Sequence, residues 1–473
     1  MRSLLSLLLV SLLIGLAACN PVDEDTTGDS SENQHGRKPA FDNGEAATLD
    51  RPVKLGFNLE KTGNAATFGL SAEKGAELAI EEINAAGGLL GHPIEYIVDD
   101  NQSMPGPAGN VGEKLINTDL VDVLIGAVGS SQSIAMAKVA EKYGVPMVTP
   151  ASTNPSVTLN DEGGVRQYVF RTCFTDDFQG EGIVDFAVNG PIGAQKAVIF
   201  YDAENDYSVG IWETIKRVAP DFGLEIVAED AYLQSSEADF RAKLNKFKAH
   251  EFDVLIVPGY YNQVGMIANQ AREVGLEQPL LGGDGFDSPE LYQVAGENIV
   301  GSYFTNHYAA DDMDPAVQDF IRNYKEHHGG KVPDAMAILT YDAVKVVASA
   351  IESAGGVDHD AVAAELAKIK SFKGAAGTIT INEKHNATKK LVVLEIGEGG
   401  QQHWVYTYDP LADETAAPAD GAEMTEDEPV ADEAADESEA GEAMAEDELA
   451  DEAPEEAEAV DANGEGGSEA GDA

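Results

Sequence analysis

From residue 53 to residue 408 the chain alternates short β-branched runs with amphipathic helical stretches, and that alternation leaves few folds open to it. Strands are expected at 53–57, 94–98, 121–128, 146–149, 168–171, 197–201, 225–228, 254–258, 280–283 and 300–304. Most are near-continuous apolar runs, as parallel strands covered on both faces must be. Helices are expected at 70–86, 108–118, 132–143, 178–188, 208–219, 238–249, 263–274, 315–327, 335–353 and 361–369. The first carries Ala76, Leu78, Ala79, Ile80 and Ile83 and stops at Gly87-Gly88, a natural C-terminal cap. Ten strands are many for one open sheet, so the expectation is an α/β chain with two doubly wound sheets of five or six strands each. In such sheets ligands lie beyond the carboxyl ends of the strands. The loops after Val128, Thr149, Tyr201, Pro258 and Gly283 are therefore the ones to inspect.

The ends of the chain read differently. Met1-Arg2 precedes an apolar run of about 13 residues, short of the roughly 20 that span a bilayer, and Leu16-Ala17-Ala18-Cys19 follows. This pattern is a signal peptide. Small residues directly before Cys19 suit bacterial lipoprotein processing, which acylates the cysteine; an ordinary signal peptide with a chance cysteine is the alternative. Residues 1–19 are thus the signal segment with its lipidation site, Cys19, and 20–51 a polar, flexible tether. Residues 410–473 are expected to form a disordered acidic tail that serves as a spacer or solubiliser. A loose cation- or partner-binding segment is the other reading, although no EF-hand spacing is present.

The net charge is −54, and the tail holds 25 acidic residues with no Lys, Arg or His, so the rest of the chain is strongly acidic too. Such a surface argues against nucleic acid as a partner. The two cysteines are Cys19 and Cys173; with Cys19 lipidated, no disulfide can form within the chain, and Cys173 is a packing residue. No cofactor or metal motif appears.

Three loops carry candidate chemistry. Gly129-Ser130-Ser131-Gln132-Ser133 opens a helix, where backbone N–H groups, a positive dipole end and hydroxyls suit a carboxylate; plain helix capping explains it as well. Thr149-Pro150-Ala151-Ser152-Thr153-Asn154-Pro155 lies on the same edge, with Ala151 leaving room for close approach and Thr153 adding a hydroxyl. Gly282-Gly283-Asp284-Gly285-Phe286 places an acid where an ammonium group can meet it, or simply forms a turn. Tyr207 and Tyr260-Tyr261 follow two further strands and can supply walls and hydroxyls.

The chain resembles the solute-binding lipoproteins of branched-chain amino acid ABC transporters, which have the type I periplasmic binding protein fold. The resemblance rests on Gly75-Ala76-Glu77-Leu78-Ala79, Ile83-Asn84-Ala85-Ala86-Gly87-Gly88, Ile125-Gly126 with Ser130-Ser131, Thr149-Pro150-Ala151-Ser152-Thr153, Phe170-Arg171-Thr172, Gly180 and Gly282-Gly283-Asp284-Gly285, in that order. It implies two Rossmann-like lobes joined by three hinge crossovers near 172–176, 304–307 and 377–381. Lobe I would hold 52–172 and 305–377, lobe II 173–304 and 378–409. It implies that Ser130, Ala151 and Thr153, with Ser131 and Ser152 in the same loops, meet the carboxylate of an amino acid. Asp284 would receive its ammonium, Tyr207 and Tyr260 would stand near, and Phe68 would close the side-chain pocket. It further implies an exported, membrane-anchored monomer that hands its solute to ABC permease subunits. Two departures stand out: Gly129 occupies the place of a cysteine found in some members, and Asp284 is one carbon shorter than the Glu of some relatives.

An enzyme is the main rival. Ser71-Ala72-Glu73-Lys74 and Lys61-Thr62-Gly63 match two elements of penicillin-recognising enzymes, but in the wrong order and without the third; Ser71 reads better as a helix-start residue. A second rival keeps the fold and binds an amide, urea or an aromatic acid, or serves a signalling partner. Asp284 discriminates, because amide and urea binders have no ammonium to meet.

Overall fold

The computed structural model describes residues 49–409. The expected signal peptide with Cys19, the tether up to residue 48 and the acidic tail lie outside the described residues.

The first sheet is built from β1 (Lys54–Leu59), β2 (Glu95–Asp100), β3 (Val123–Gly126), β4 (Met147–Thr149) and β5 (Val169–Arg171), all parallel, in the order β2-β1-β3-β4-β5. The second contains β6 (Lys196–Asp202), β7 (Glu225–Tyr232), β8 (Val254–Ile256), β9 (Leu280–Gly282) and β10 (Tyr303–Asn306), again parallel, in the order β7-β6-β8-β9-β10. Renumbered within its half, each set has the order 2-1-3-4-5. The central strands are buried along their length, whereas the edge strand β2 is only partly covered and carries Glu95, Asp99 and Asp100; charge on an edge discourages pairing with another chain.

Helices α1 (Ala66–Ala85), α2 (Pro105–Asn117) and α3 (Ser130–Tyr143) connect the first sheet. The second is connected by α4 (Asp176–Asn189), α5 (Asp206–Phe222), α6 (Arg241–Phe247), α7 (Tyr261–Glu273) and α8 (Pro289–Ala295). The chain then returns to the first sheet through α9 (Pro315–His327), α10 (Ala335–Ala354) and α11 (His359–Ala367). Helices α1 and α10 approach closely because of Gly75: a Cβ there would lie 1.9 Å from the Ala337 carbonyl oxygen.

Three features differ from the sequence expectation. The second sheet has seven strands rather than five or six, because β14 (Leu391–Ile396) and β15 (Gln402–Tyr408) add antiparallel to β10. Before them, β11 (Phe372–Gly374), β12 (Gly377–Ile381) and β13 (Ala387–Thr388) form a small antiparallel sheet of their own. That sheet stays with the first half: Arg171 N–H donates to the His385 carbonyl at 3.1 Å, His385 stacks on Phe170, and Thr158 donates to Asn386. The third crossover, expected at 377–381, therefore falls between β13 and β14, at Lys389-Lys390. Finally, Ser71 does not start a helix. It sits inside α1 and its hydroxyl donates to Asp334, the residue that caps α10.

Candidate functional site

The carboxyl ends of both sheets contribute to one small pocket lined by Phe68, Val128, Ser130, Ala151, Tyr207, Tyr260, Asp284, Gly285 and Met336. Its cavity volume is about 10 Å³, room for little more than one water. The strand order explains this position. In a 2-1-3-4-5 sheet the strand order reverses between the first and third strands, and the crevice opens there. Val128 and Ser130 follow β3 at one such point; Tyr207 follows β6 and Tyr260 follows β8 at the other.

The first half presents helix starts and hydroxyls. Ser130 is the first residue of α3, 1 % exposed, and its hydroxyl accepts the Asn154 N–H at 3.2 Å. Not every amide of its loop is open. Val128 and Gly129 donate to the two carboxylate oxygens of Glu60, each at 3.1 Å. Ser152 N–H is taken by the Thr149 hydroxyl at 3.1 Å. The N–H groups of Ala151 and Thr153 have no protein acceptor among the described residues, and the first turn of α3 has no intrahelical acceptor, the Ser130 amide facing the Tyr260 phenol. Arg171 braces this loop from below: its guanidinium, fully buried, donates to the Ser152 and Asn154 carbonyls at 2.7 Å each.

Asp284, from the second half, lies beyond the end of β9 and is 3 % exposed. Gln179 donates to its Oδ1 at 2.9 Å, and the His307 Nε2 is 3.0 Å from its Oδ2. Burial holds the His307 imidazole down to about 4, so above that pH the ring is neutral and its Nε2–H donates. It stacks on Phe174 with centroids 3.7 Å apart. Each carboxylate oxygen thus accepts one hydrogen bond from a neutral donor and keeps acceptor capacity for a cation. Gly283 makes this packing possible, since a Cβ there would lie 2.3 Å from the Tyr207 hydroxyl. That hydroxyl accepts the Gly285 N–H at 3.0 Å.

Phe68, Val128, Ala151 and Met336 are the apolar part of the lining, with the faces of Tyr207 and Tyr260 stacked at 5.2 Å. The two halves also touch at the rim: Asp206 N–H donates to the Ser131 hydroxyl at 3.1 Å, Asn154 donates to the Asp206 carbonyl at 2.7 Å, and Ala335 N–H donates to Asp287 at 2.7 Å.

Of the residues singled out from sequence, Phe68, Ser130, Ala151, Tyr207, Tyr260 and Asp284 are brought together in the lining. Three are not. Ser131 makes the rim contact with Asp206. The Ser152 hydroxyl turns inward to the Val128 carbonyl and to Ser133. Thr153 is wholly buried, its hydroxyl facing the Asp176 carboxylate, and does not line the pocket. Glu60, Gln179, His307 and Met336 escaped the sequence reading: the first two resemble ordinary polar residues of a turn and a helix, and Met336 resembles core. Among the described residues no group of acidic, His or Cys side chains is arranged to hold a metal, and Cys173 is buried, its thiol pushed up to about 12 by burial.

Comparison with known proteins identifies the family and the fold. A family model described as periplasmic binding protein matches residues 52–401. The Leu/Ile/Val-binding protein homolog 3 of Brucella melitensis is 30% identical over 342 residues, covering 72% of this chain and 90% of the relative. The solved leucine-binding protein LivK of Thermotoga maritima superposes with a TM-score of 0.71 at 36% identity, over 76% of this chain and 99% of that one. LivJ of Streptococcus pneumoniae, solved in complex with isoleucine, gives 0.70 at 33% identity, over 76% of this chain and 100% of that one.

Proposed function

The chain belongs to the periplasmic binding protein family, a family of solute binders rather than enzymes, and from that premise we propose that it captures an α-amino acid with a branched or otherwise apolar side chain. The observation that carries the reading is the presence, in one pocket, of Asp284 from the second half and the start of α3 at Ser130 from the first, with Phe68 and Met336 in the same lining. An acid on one wall and helix N–H groups on the other match the two ends of an amino-acid zwitterion. The apolar remainder matches its side chain. In this reading Ser130 and Ala151 meet the carboxylate, Thr153 supports their loop from behind, Asp284 meets the ammonium, and the lobes close over the solute.

The relatives named for leucine, isoleucine and valine support the same solute class. We further infer that the closed protein, a monomer, delivers its solute to ABC permease subunits, and that acylated Cys19 keeps it at the outer face of the cell membrane. Lobe I comprises 52–172 with 305–388 and lobe II 173–304 with 391–409, after the crossover position found above.

A thermal-shift and calorimetric screen of the exported chain against the standard amino acids, urea and short amides tests this. Leucine, isoleucine or valine should raise the melting temperature, because binding to the native state alone must do so. A response confined to ligands without an ammonium group would overturn the role of Asp284.

A further inference from the structure

Glu60 follows β1 directly and is wholly buried. Its carboxylate clasps two successive backbone amides, those of Val128 and Gly129, immediately before α3. No cation partners it among the described residues. Asn101 faces it from the loop after β2, Gly69 of α1 lies against its backbone, and the titratable group facing it from the second sheet is the Tyr260 phenol. A buried carboxylate held by dipoles alone gives up much hydration. The same helix start presents Ser130 to the pocket.

We propose that Glu60 is a positioning residue that couples solute capture to protonation: it fixes the Val128-Gly129 turn so that Ser130 is presented to the solute, and it takes up a proton from solvent when a solute carboxylate arrives at the same helix start. This rests on the reading that the solute carries a carboxylate. The reason is like-charge crowding. Two carboxylates at one helix N-terminus oppose each other's ionisation, and the solute's is the more acidic of the two. Burial already pushes Glu60 up to about 7, so its remaining charge is easily quenched near neutral pH. Affinity should then be greatest below that value and fall as pH rises through it.

Calorimetry of L-leucine binding at pH 7 in phosphate and in Tris, whose ionisation heats differ, reads the proton directly. The wild-type protein should take up a fraction of a proton, and its dissociation constant should rise up to roughly tenfold between pH 6 and 8.5, the consequence of a shift of about one unit. Glu60→Gln should show no uptake and a flat pH profile. Equal heats in the two buffers, or the same uptake in Glu60→Gln, would overturn the proposal. Heat absent with every amino acid would instead strike the functional reading, and a carboxyl-carbon NMR titration of the ligand-free protein then decides. A resonance missing from Glu60→Gln with a midpoint near 7 sustains the role of Glu60, and a midpoint of about 4, the ordinary glutamate value, overturns it.

Discussion

Phe68 of α1 and Tyr260 of the loop after β8 meet edge to face across the pocket, their ring centroids 5.4 Å apart and their planes at 85°. One ring comes from each sheet, so the apolar wall exists only when the two halves are together. Removing Phe68 as Phe68→Ala should weaken L-leucine binding by about 1.5–3 kcal/mol, the value of one large apolar contact, and L-alanine binding by much less. Calorimetry with both amino acids checks this; equal losses would show that Phe68 does not touch the solute side chain.

Asp284 is the one acidic group in the lining. Asp284→Asn keeps its shape and its contact with Gln179 but removes the charge. L-leucine affinity should fall by about 2–5 kcal/mol, as when one partner of a buried charge pair is lost. An unchanged dissociation constant would assign the ammonium to another group.

The hydroxyl of Ser131 joins the lobes at the rim through Asp206 and touches nothing in the pocket. Ser131→Ala should cost about 1 kcal/mol of closure, which appears as a roughly fivefold weaker affinity shared by every solute. A loss that differs between leucine, isoleucine and valine would place Ser131 in the site itself.

Asp334 caps α10 and lies near Asp287 of the other half; burial and that neighbour push it up to about 7. A carboxyl raised in the folded state holds its proton more tightly there than in the unfolded chain. Its contribution is full below the ordinary aspartate value of about 3.9 and is lost as pH rises through about 7. The wild-type melting temperature should therefore drop between pH 5.5 and 8 by more than that of Asp334→Asn, which still caps the helix. Parallel slopes in differential scanning calorimetry would contradict the assignment.

Strand and helix alternation was legible because parallel strands such as β3 and β8 are buried on both faces and must be apolar throughout. The same criterion hid β15, whose sequence Gln402-His403-Trp404-Val405-Tyr406-Thr407-Tyr408 faces solvent in part and pairs antiparallel, and β11 to β13, which are two to five residues long. For the pocket, rules about strand ends pointed to loops whose residues line it. They did not fix which way each side chain in a loop points: Ser130 and Ser131 are neighbours, yet one lines the pocket and the other bridges the lobes. Glu60 was missed for a related reason. In Leu59-Glu60-Lys61-Thr62-Gly63 it reads as a charged turn residue, and only its amide partners, far along the chain, explain why it is inside.

The contact between Gly75 and Ala337 has a consequence for the order in which the molecule can be made. All five strands of the first sheet precede residue 172, but the helix that covers α1 at Gly75 is synthesised only after most of the second lobe. A chain appearing amino end first therefore has all five of these strands and α1 before α10 exists to cover that flank. At that stage it is open to proteases and to association with its own copies, and a chaperone that shields the flank of α1 until α10 arrives would raise the yield of folded protein.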